Sequence, residues 1–90
     1  MGRYQIKIKE TAQKDLLEIS TSGDLSTIQK VETIFHELEE YPKTGTGKPE
    51  LLRYELSGFW SRRLNRKDRI IYEIDENEAV VTVLSVLGHY

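Results

Sequence analysis

The second half of the chain is a run of short alternating stretches separated by tight turns, and this limits the fold more than any other feature. Leu52, Tyr54 and Leu56 alternate with Arg53 and Glu55; Trp60, Arg62 and Leu64 alternate with Phe59, Ser61 and Arg63. Ile70, Tyr72 and Ile74 alternate with Arg69, Ile71 and Glu73, and a Val-rich stretch follows over 79–87. Ser57-Gly58, Arg66-Lys67-Asp68 and Glu76-Asn77-Glu78 separate the four. Period-two alternation marks strands with one buried face. Strands joined by such short turns pair antiparallel, because a parallel pair needs a crossover of a dozen residues or more.

The first half has a different period. Tyr4, Ile6 and Ile8 alternate with Gln5, Lys7 and Lys9, which predicts one more strand. Thr11 is placed to cap a helix with Ala12, Leu16 and Ile19 along one side and Leu17 adjacent. Ser20-Thr21-Ser22-Gly23 ends it, and Asp24 is a good N-cap for a second helix. There Ile28, Val31, Phe35 and Leu38 form a stripe that Ile34 widens, opposite Glu32, His36, Glu39 and Glu40. Pro42 closes this helix, and 43–49 is a Gly/Pro loop. The predicted order is β-α-α-β-β-β-β, in a single domain over 1–90. The fold class is α+β, with two helices packed on one face of a small antiparallel sheet.

Two helices leave the other sheet face open. Ser61 and Arg63 share a parity opposite Trp60 and Leu64, which predicts a basic floor there, although Phe59 shares that parity too. Trp60 belongs to the core, and His36, among glutamates, to the surface. The net charge is −2, but it is segregated. Residues 48–69 carry seven basic side chains (Lys48, Arg53, Arg62, Arg63, Arg66, Lys67, Arg69) against Glu50, Glu55 and Asp68. Residues 70–90 carry four acidic side chains and no Lys or Arg. Five of those seven are Arg, whose planar fork meets phosphate oxygens in pairs. A basic run is also what an ordinary solvated face looks like.

Several classes are excluded. There are no cysteines, so thiol nucleophiles, thiolate metal sites and disulfide scaffolds are out. The two histidines, His36 and His89, are far apart, which disfavours zinc. The apolar run over 79–87, broken by Thr82 and Ser85, is far short of the ~20 residues of a membrane span. Arg3, Lys7, Lys9 and Glu10 stand where a signal peptide would be apolar, so a cytoplasmic protein with no membrane contact is expected.

Were the basic floor to act on RNA phosphate, it would need a base for the 2′-hydroxyl, a cation for the phosphoryl oxygens and an acid for the departing 5′-oxygen. Glu50, in the loop entering the basic stretch, is the candidate base. Arg63 and Arg69 are candidate phosphate clamps. His89 is the candidate acid, since histidine alone titrates near neutrality unperturbed. Tyr90 is placed to stack on an unpaired base. Each also has an ordinary structural reading: a solvated loop Glu, solvent-facing strand Arg, a fraying His-Tyr end.

The stretch Gly47-Lys48-Pro49-Glu50-Leu51-Leu52-Arg53-Tyr54-Glu55-Leu56-Ser57-Gly58-Phe59-Trp60-Ser61-Arg62-Arg63-Leu64 closely resembles the segment GKPEPLK–LSGFWSRRI of the YoeB-type toxins, a branch of the RelE superfamily. Asp68-Arg69-Ile70-Ile71-Tyr72 resembles that family's HRLVY, and His89-Tyr90 its C-terminal HY. The likeness is strong over 47–75 and at the last two residues; over 1–45 only the order of elements agrees. It implies two helices on a twisted antiparallel sheet, and the toxin of a type II toxin–antitoxin pair. Such toxins are metal-free endoribonucleases that cut mRNA in the ribosomal A site, leaving a 2′,3′-cyclic phosphate and a 5′-hydroxyl. By this resemblance Glu50 is the general base, His89 the general acid, Arg69 the transition-state cation and Arg63 a phosphate ligand. Tyr90 orients the nucleotide or supports His89. Lys48, Arg53 and Arg62 complete the RNA-binding set, with Arg53 where the family typically has Lys. No cofactor is implied.

The implied partners are the ribosome, mRNA and a cognate antitoxin whose C-terminal segment folds on the toxin; a homodimer is compatible with the same reading. The alternative is a non-catalytic partner-binding module on this fold, either a degenerate toxin or a gyrase inhibitor of the ParE branch. ParE toxins lack the Glu50/His89 pair, and a degenerate toxin would tolerate loss of Arg69, His89 or Tyr90, all of which are present. Gly88 directly precedes His89. Order at this end matters, because a general acid must lie within hydrogen-bond reach of the leaving oxygen.

Overall fold

In the computed structural model, which describes residues 3–88, the chain runs β1 (Gln5–Ile8), α1 (Glu10–Ser22), α2 (Leu25–Glu40), β2 (Glu50–Leu51), β3 (Trp60–Arg63), β4 (Arg69–Asp75) and β5 (Val80–Gly88). The α+β class and the β-α-α-β-β-β-β order are as expected.

The helix ends follow local chemistry. Lys9 occupies the N-cap of α1 without a side-chain bond, so Thr11 falls inside the first turn rather than capping it. Gly23 ends α1 at φ +80°, a left-handed conformation that costs glycine little. Asp24 caps α2 as expected: its carboxylate accepts from the Thr27 amide at 3.1 Å and the Thr27 hydroxyl at 2.7 Å. These bonds hold the Asp24 carboxyl below its ordinary pKa.

The five strands form one sheet in the order β1-β5-β4-β3-β2. The pairs among β2, β3, β4 and β5 are antiparallel, as their short connections require. β1 pairs parallel with β5, from Gln5 opposite Val80 to Ile8 opposite Val83, so the sheet is mixed. The short turns governed only β2 to β5. Both helices intervene after β1, a crossover long enough for a parallel neighbour.

The expected strand through Leu52, Tyr54 and Leu56 is not one. Pairing stops after Leu51, and the chain closes on itself in a 3-10 turn over Tyr54–Leu56. The Ser57 amide donates to the Tyr54 carbonyl at 3.0 Å and the Phe59 amide to the Leu56 carbonyl at 3.0 Å. These local bonds replace a ladder. Leu52 is buried, whereas Tyr54 is 91% exposed with φ at +61°.

The helices cover one face of the sheet. Ala12, Ile19, Val31, Ile34 and Leu38 pack against Leu64, Ile70, Tyr72, Val81, Val83 and Val86, with Trp60 partly buried at the margin. A fully buried Ile or Leu such as Ile34 or Leu38 contributes about 1.5–3 kcal/mol. The register of β4 against β5 slips twice, between Arg69 and Ile71 and between Ile71 and Tyr72. These bulges explain why Val83 and Val86, three residues apart, both enter the core. Among the described residues, no helix is long and apolar enough to cross a membrane.

Candidate active site

The loop that carries Lys48 and Glu50 is held from beneath by Arg62. This side chain is fully buried, and each of its five N–H donors has an acceptor. Nε donates to the Tyr72 hydroxyl at 3.1 Å; one terminal nitrogen donates to Glu37 Oε1 at 2.6 Å and the Thr46 carbonyl at 3.3 Å. The other donates to the carbonyls of Tyr41 at 2.6 Å and Thr44 at 2.7 Å. Tyr72 in turn donates to the Pro42 carbonyl at 2.7 Å, and burial pushes its pKa up.

Glu37 completes this knot. Its carboxylate accepts from the Thr46 amide at 2.7 Å and the Thr46 hydroxyl at 2.8 Å. Partial burial by itself would raise its pKa, but the Thr46 bonds and the Arg62 guanidinium outweigh that and hold it below the ordinary value. The expectation that Arg62 binds phosphate is therefore corrected. Its parity with Trp60 and Leu64 turns it under the sheet, where three carbonyls, one carboxylate and the Tyr72 hydroxyl use all its donors.

Beyond the knot the loop turns back onto β3. The Arg63 amide donates to the Gly47 carbonyl at 2.7 Å. Gly47 has φ +86°, and a Cβ there would stand 2.6 Å from the Arg63 carbonyl oxygen. Only glycine fits this approach. It delivers Lys48 and Glu50 to the edge of the sheet.

On the face away from the helices two cross-strand rows lie side by side. Glu50, Ser61, Ile71 and Ser85 are successive partners across β2, β3, β4 and β5. Arg63, Arg69 and Gly88 form the next row. Directly paired residues share a face with Cβ atoms about 5 Å apart, and diagonal neighbours such as Glu50 and Arg63 lie about 7–8 Å apart. The fold thus brings Glu50, Arg63 and Arg69 onto one face, at one end of the sheet. Glu50 and Arg63 are exposed, and Arg69 is partly exposed. Lys48 and Arg53 are exposed on either side of β2. Glu50, Arg53 and Tyr54 border a shallow depression of about 380 Å³.

His89 and Tyr90 lie outside the described residues. Gly88, the residue before them, pairs with Arg69.

The outer face of β4 reads Arg69, Ile71, Glu73, Asp75, running from basic to acidic along one strand. Along this strand an anion is favoured at the Arg69 end. Arg63 and Arg69, directly paired across β3 and β4, place two positive charges at that end. A carboxylate beside two guanidiniums has the parts for proton abstraction next to a stabilised phosphoryl group.

Three contributors escaped sequence reading: Glu37, Tyr72 and Asp15. Glu37 looked like one more carboxylate of an acidic helix. Tyr72 looked like an ordinary core residue of an alternating strand. Ser61, expected on the open floor beside Arg63, is instead fully buried, and its Oγ has no hydrogen-bond partner among the described residues. Asp15 gave a signal, since it lies three residues after Ala12 and four before Ile19, on the buried stripe of α1.

A family model described as the YoeB-like toxin of bacterial type II toxin–antitoxin systems matches residues 9–90. Toxin RelK of Mycobacterium tuberculosis is 38% identical over 69 residues, covering 77% of this chain and 79% of its own. The YoeB dimer from Staphylococcus aureus superposes with a TM-score of 0.82 at 27% identity, over 98% of this chain and 99% of that one. YoeB in the heterotetrameric YoeB–YefM toxin–antitoxin complex from the same organism gives 0.80 at 28% identity over the same shares.

Proposed function

The chain belongs to the YoeB-like toxins of bacterial type II toxin–antitoxin systems, and from that premise we propose that it is a ribosome-dependent endoribonuclease that cuts mRNA in the A site. The observation that carries this reading is the shared face of Glu50, Arg63 and Arg69, three residues from three strands aligned at one end of the sheet.

Glu50 accepts the proton of the 2′-hydroxyl. The 2′-oxygen attacks the adjacent phosphorus, and Arg69 with Arg63 stabilises the charge that builds on the phosphoryl oxygens. His89 gives a proton to the departing 5′-oxygen, leaving a 2′,3′-cyclic phosphate and a 5′-hydroxyl. Tyr90 orients the nucleotide, and Lys48 and Arg53 hold the backbone of the RNA. The protein works in the cytoplasm. Its antitoxin folds an acidic C-terminal segment over the basic end of the sheet and neutralises it.

Primer extension on a defined mRNA in a purified translation system tests this, with intact protein beside His89→Ala. Cuts within the A-site codon that need ribosomes and vanish with the substitution support the reading. Intact, folded protein that leaves the mRNA whole overturns it.

A further inference from the structure

Asp15 sits on the side of α1 that faces the sheet, where a carboxylate must find partners or cost stability. Its Oδ2 accepts from the amides of Val86 at 2.9 Å and Leu87 at 3.1 Å. These amides lie in the bulge of β5 between Ser85 and Gly88, where the ladder to β4 slips by one residue. On the other side, β1 ends its pairing at Val83. One carboxylate oxygen thus takes up two donors in the slipped part of the strand, and it does so two and three residues before His89.

We propose that Asp15 is a positioning residue, which fixes the end of β5, the strand that leads directly into His89-Tyr90. The proposal rests on the nuclease reading above. Arg69 is paired with Gly88, so the strand end that Asp15 holds shares its row with the cation of the site. The bond acts on backbone N–H groups, independent of which side chains follow. A general acid gains its rate from being held within reach of the leaving oxygen. Asp15 supplies that restraint from a helix that has no other part in the chemistry.

The test uses a leaving group that needs no acid. In mRNA with a single 5′-bridging phosphorothiolate at the cleaved position, the departing thiolate leaves without a proton. Asp15→Ala is expected to cut ordinary mRNA at least about tenfold more slowly than intact protein, with KM for programmed ribosomes within about twofold. The phosphorothiolate mRNA is expected to be cut at close to the intact rate, and the same is expected of His89→Ala. Asp15→Asn keeps an acceptor oxygen in the same place and is expected to be only about two- to fivefold slower on ordinary mRNA, again restored by the sulfur substrate. It carries the test if the alanine variant does not fold. Equal slowing on both substrates, or undiminished cutting of ordinary mRNA, overturns the positioning role. Intact protein that cuts neither substrate overturns the nuclease reading beneath it, a result distinct from either variant failing alone.

Discussion

Arg63 and Arg69 face each other across β3 and β4 as a registered pair, on the side of the sheet that neither helix covers. Two positive charges side by side attract an anion more strongly than either does alone. Sulfate or phosphate is therefore expected to raise the thermal midpoint more than chloride does at equal ionic strength. The difference is expected to vanish in Arg63→Ala/Arg69→Ala, and its persistence would move the anion site elsewhere.

Arg69→Ala is expected to lower the single-turnover rate of mRNA cleavage by about 100-fold or more, the range for loss of one oxyanion-stabilising donor. The thermal midpoint should move by only a few degrees. A fall of many degrees with a matching loss of rate would make Arg69 a structural residue.

Arg62 should behave in the opposite way. Removing one partner of a buried ion pair costs about 3–5 kcal/mol, so Arg62→Ala is expected to lower the midpoint by more than about 10 °C. Urea denaturation of Arg62→Ala beside Arg63→Ala separates the two adjacent arginines. An Arg62→Ala protein of intact stability but poor RNA binding would return this residue to the phosphate site.

The Glu37 carboxylate, held below its ordinary value by Thr46 and Arg62, links stability to acid. A depressed folded-state pKa adds stability that is fully present above the unfolded value, near 4.5, and is lost as pH falls through the folded value. The stability gap between intact protein and Glu37→Gln should therefore be constant at neutral pH and shrink below about pH 4.5. Chemical denaturation between pH 3 and 7 measures it. A gap that widens on acidification would contradict the assignment.

Gly47→Ala places a methyl against the Arg63 carbonyl and forces a positive φ on alanine. A loss of about 1–3 kcal/mol is expected, with a larger fractional loss of cleavage than of stability because Glu50 is displaced. Unchanged stability would show that the loop reaches β3 by another path.

How much was legible in advance depended on whether the signal was local. The helix stripes, the Asp24 cap and the strands β1, β3, β4 and β5 follow from periodicity and side-chain chemistry within a few residues. The parallel partner of β1 was not legible, because it is chosen by a strand near the other end of the chain. The strand expected through Tyr54 failed because alternation over five residues also fits a 3-10 turn once Ser57-Gly58 reverses the chain. At the site, Glu50, Arg63 and Arg69 could be nominated from residue type and resemblance, but their alignment depends on register. Arg62 shows a conflict between two signals. Its charge suggested phosphate, its parity with Trp60 and Leu64 placed it under the sheet, and parity won.

The parallel pairing of β1 with β5 sets an order of events during synthesis. β5 lies between β1 and β4, and its Val81, Val83 and Val86 are fully buried. It is also the last of the described strands to be translated. A nascent chain that has produced β1 through β4 has neither a closed core nor the row in which Gly88 meets Arg69. Folding must wait for the final strand, whose pairing spans nearly the whole chain. Until that strand is made, the row that holds Arg69 stays incomplete.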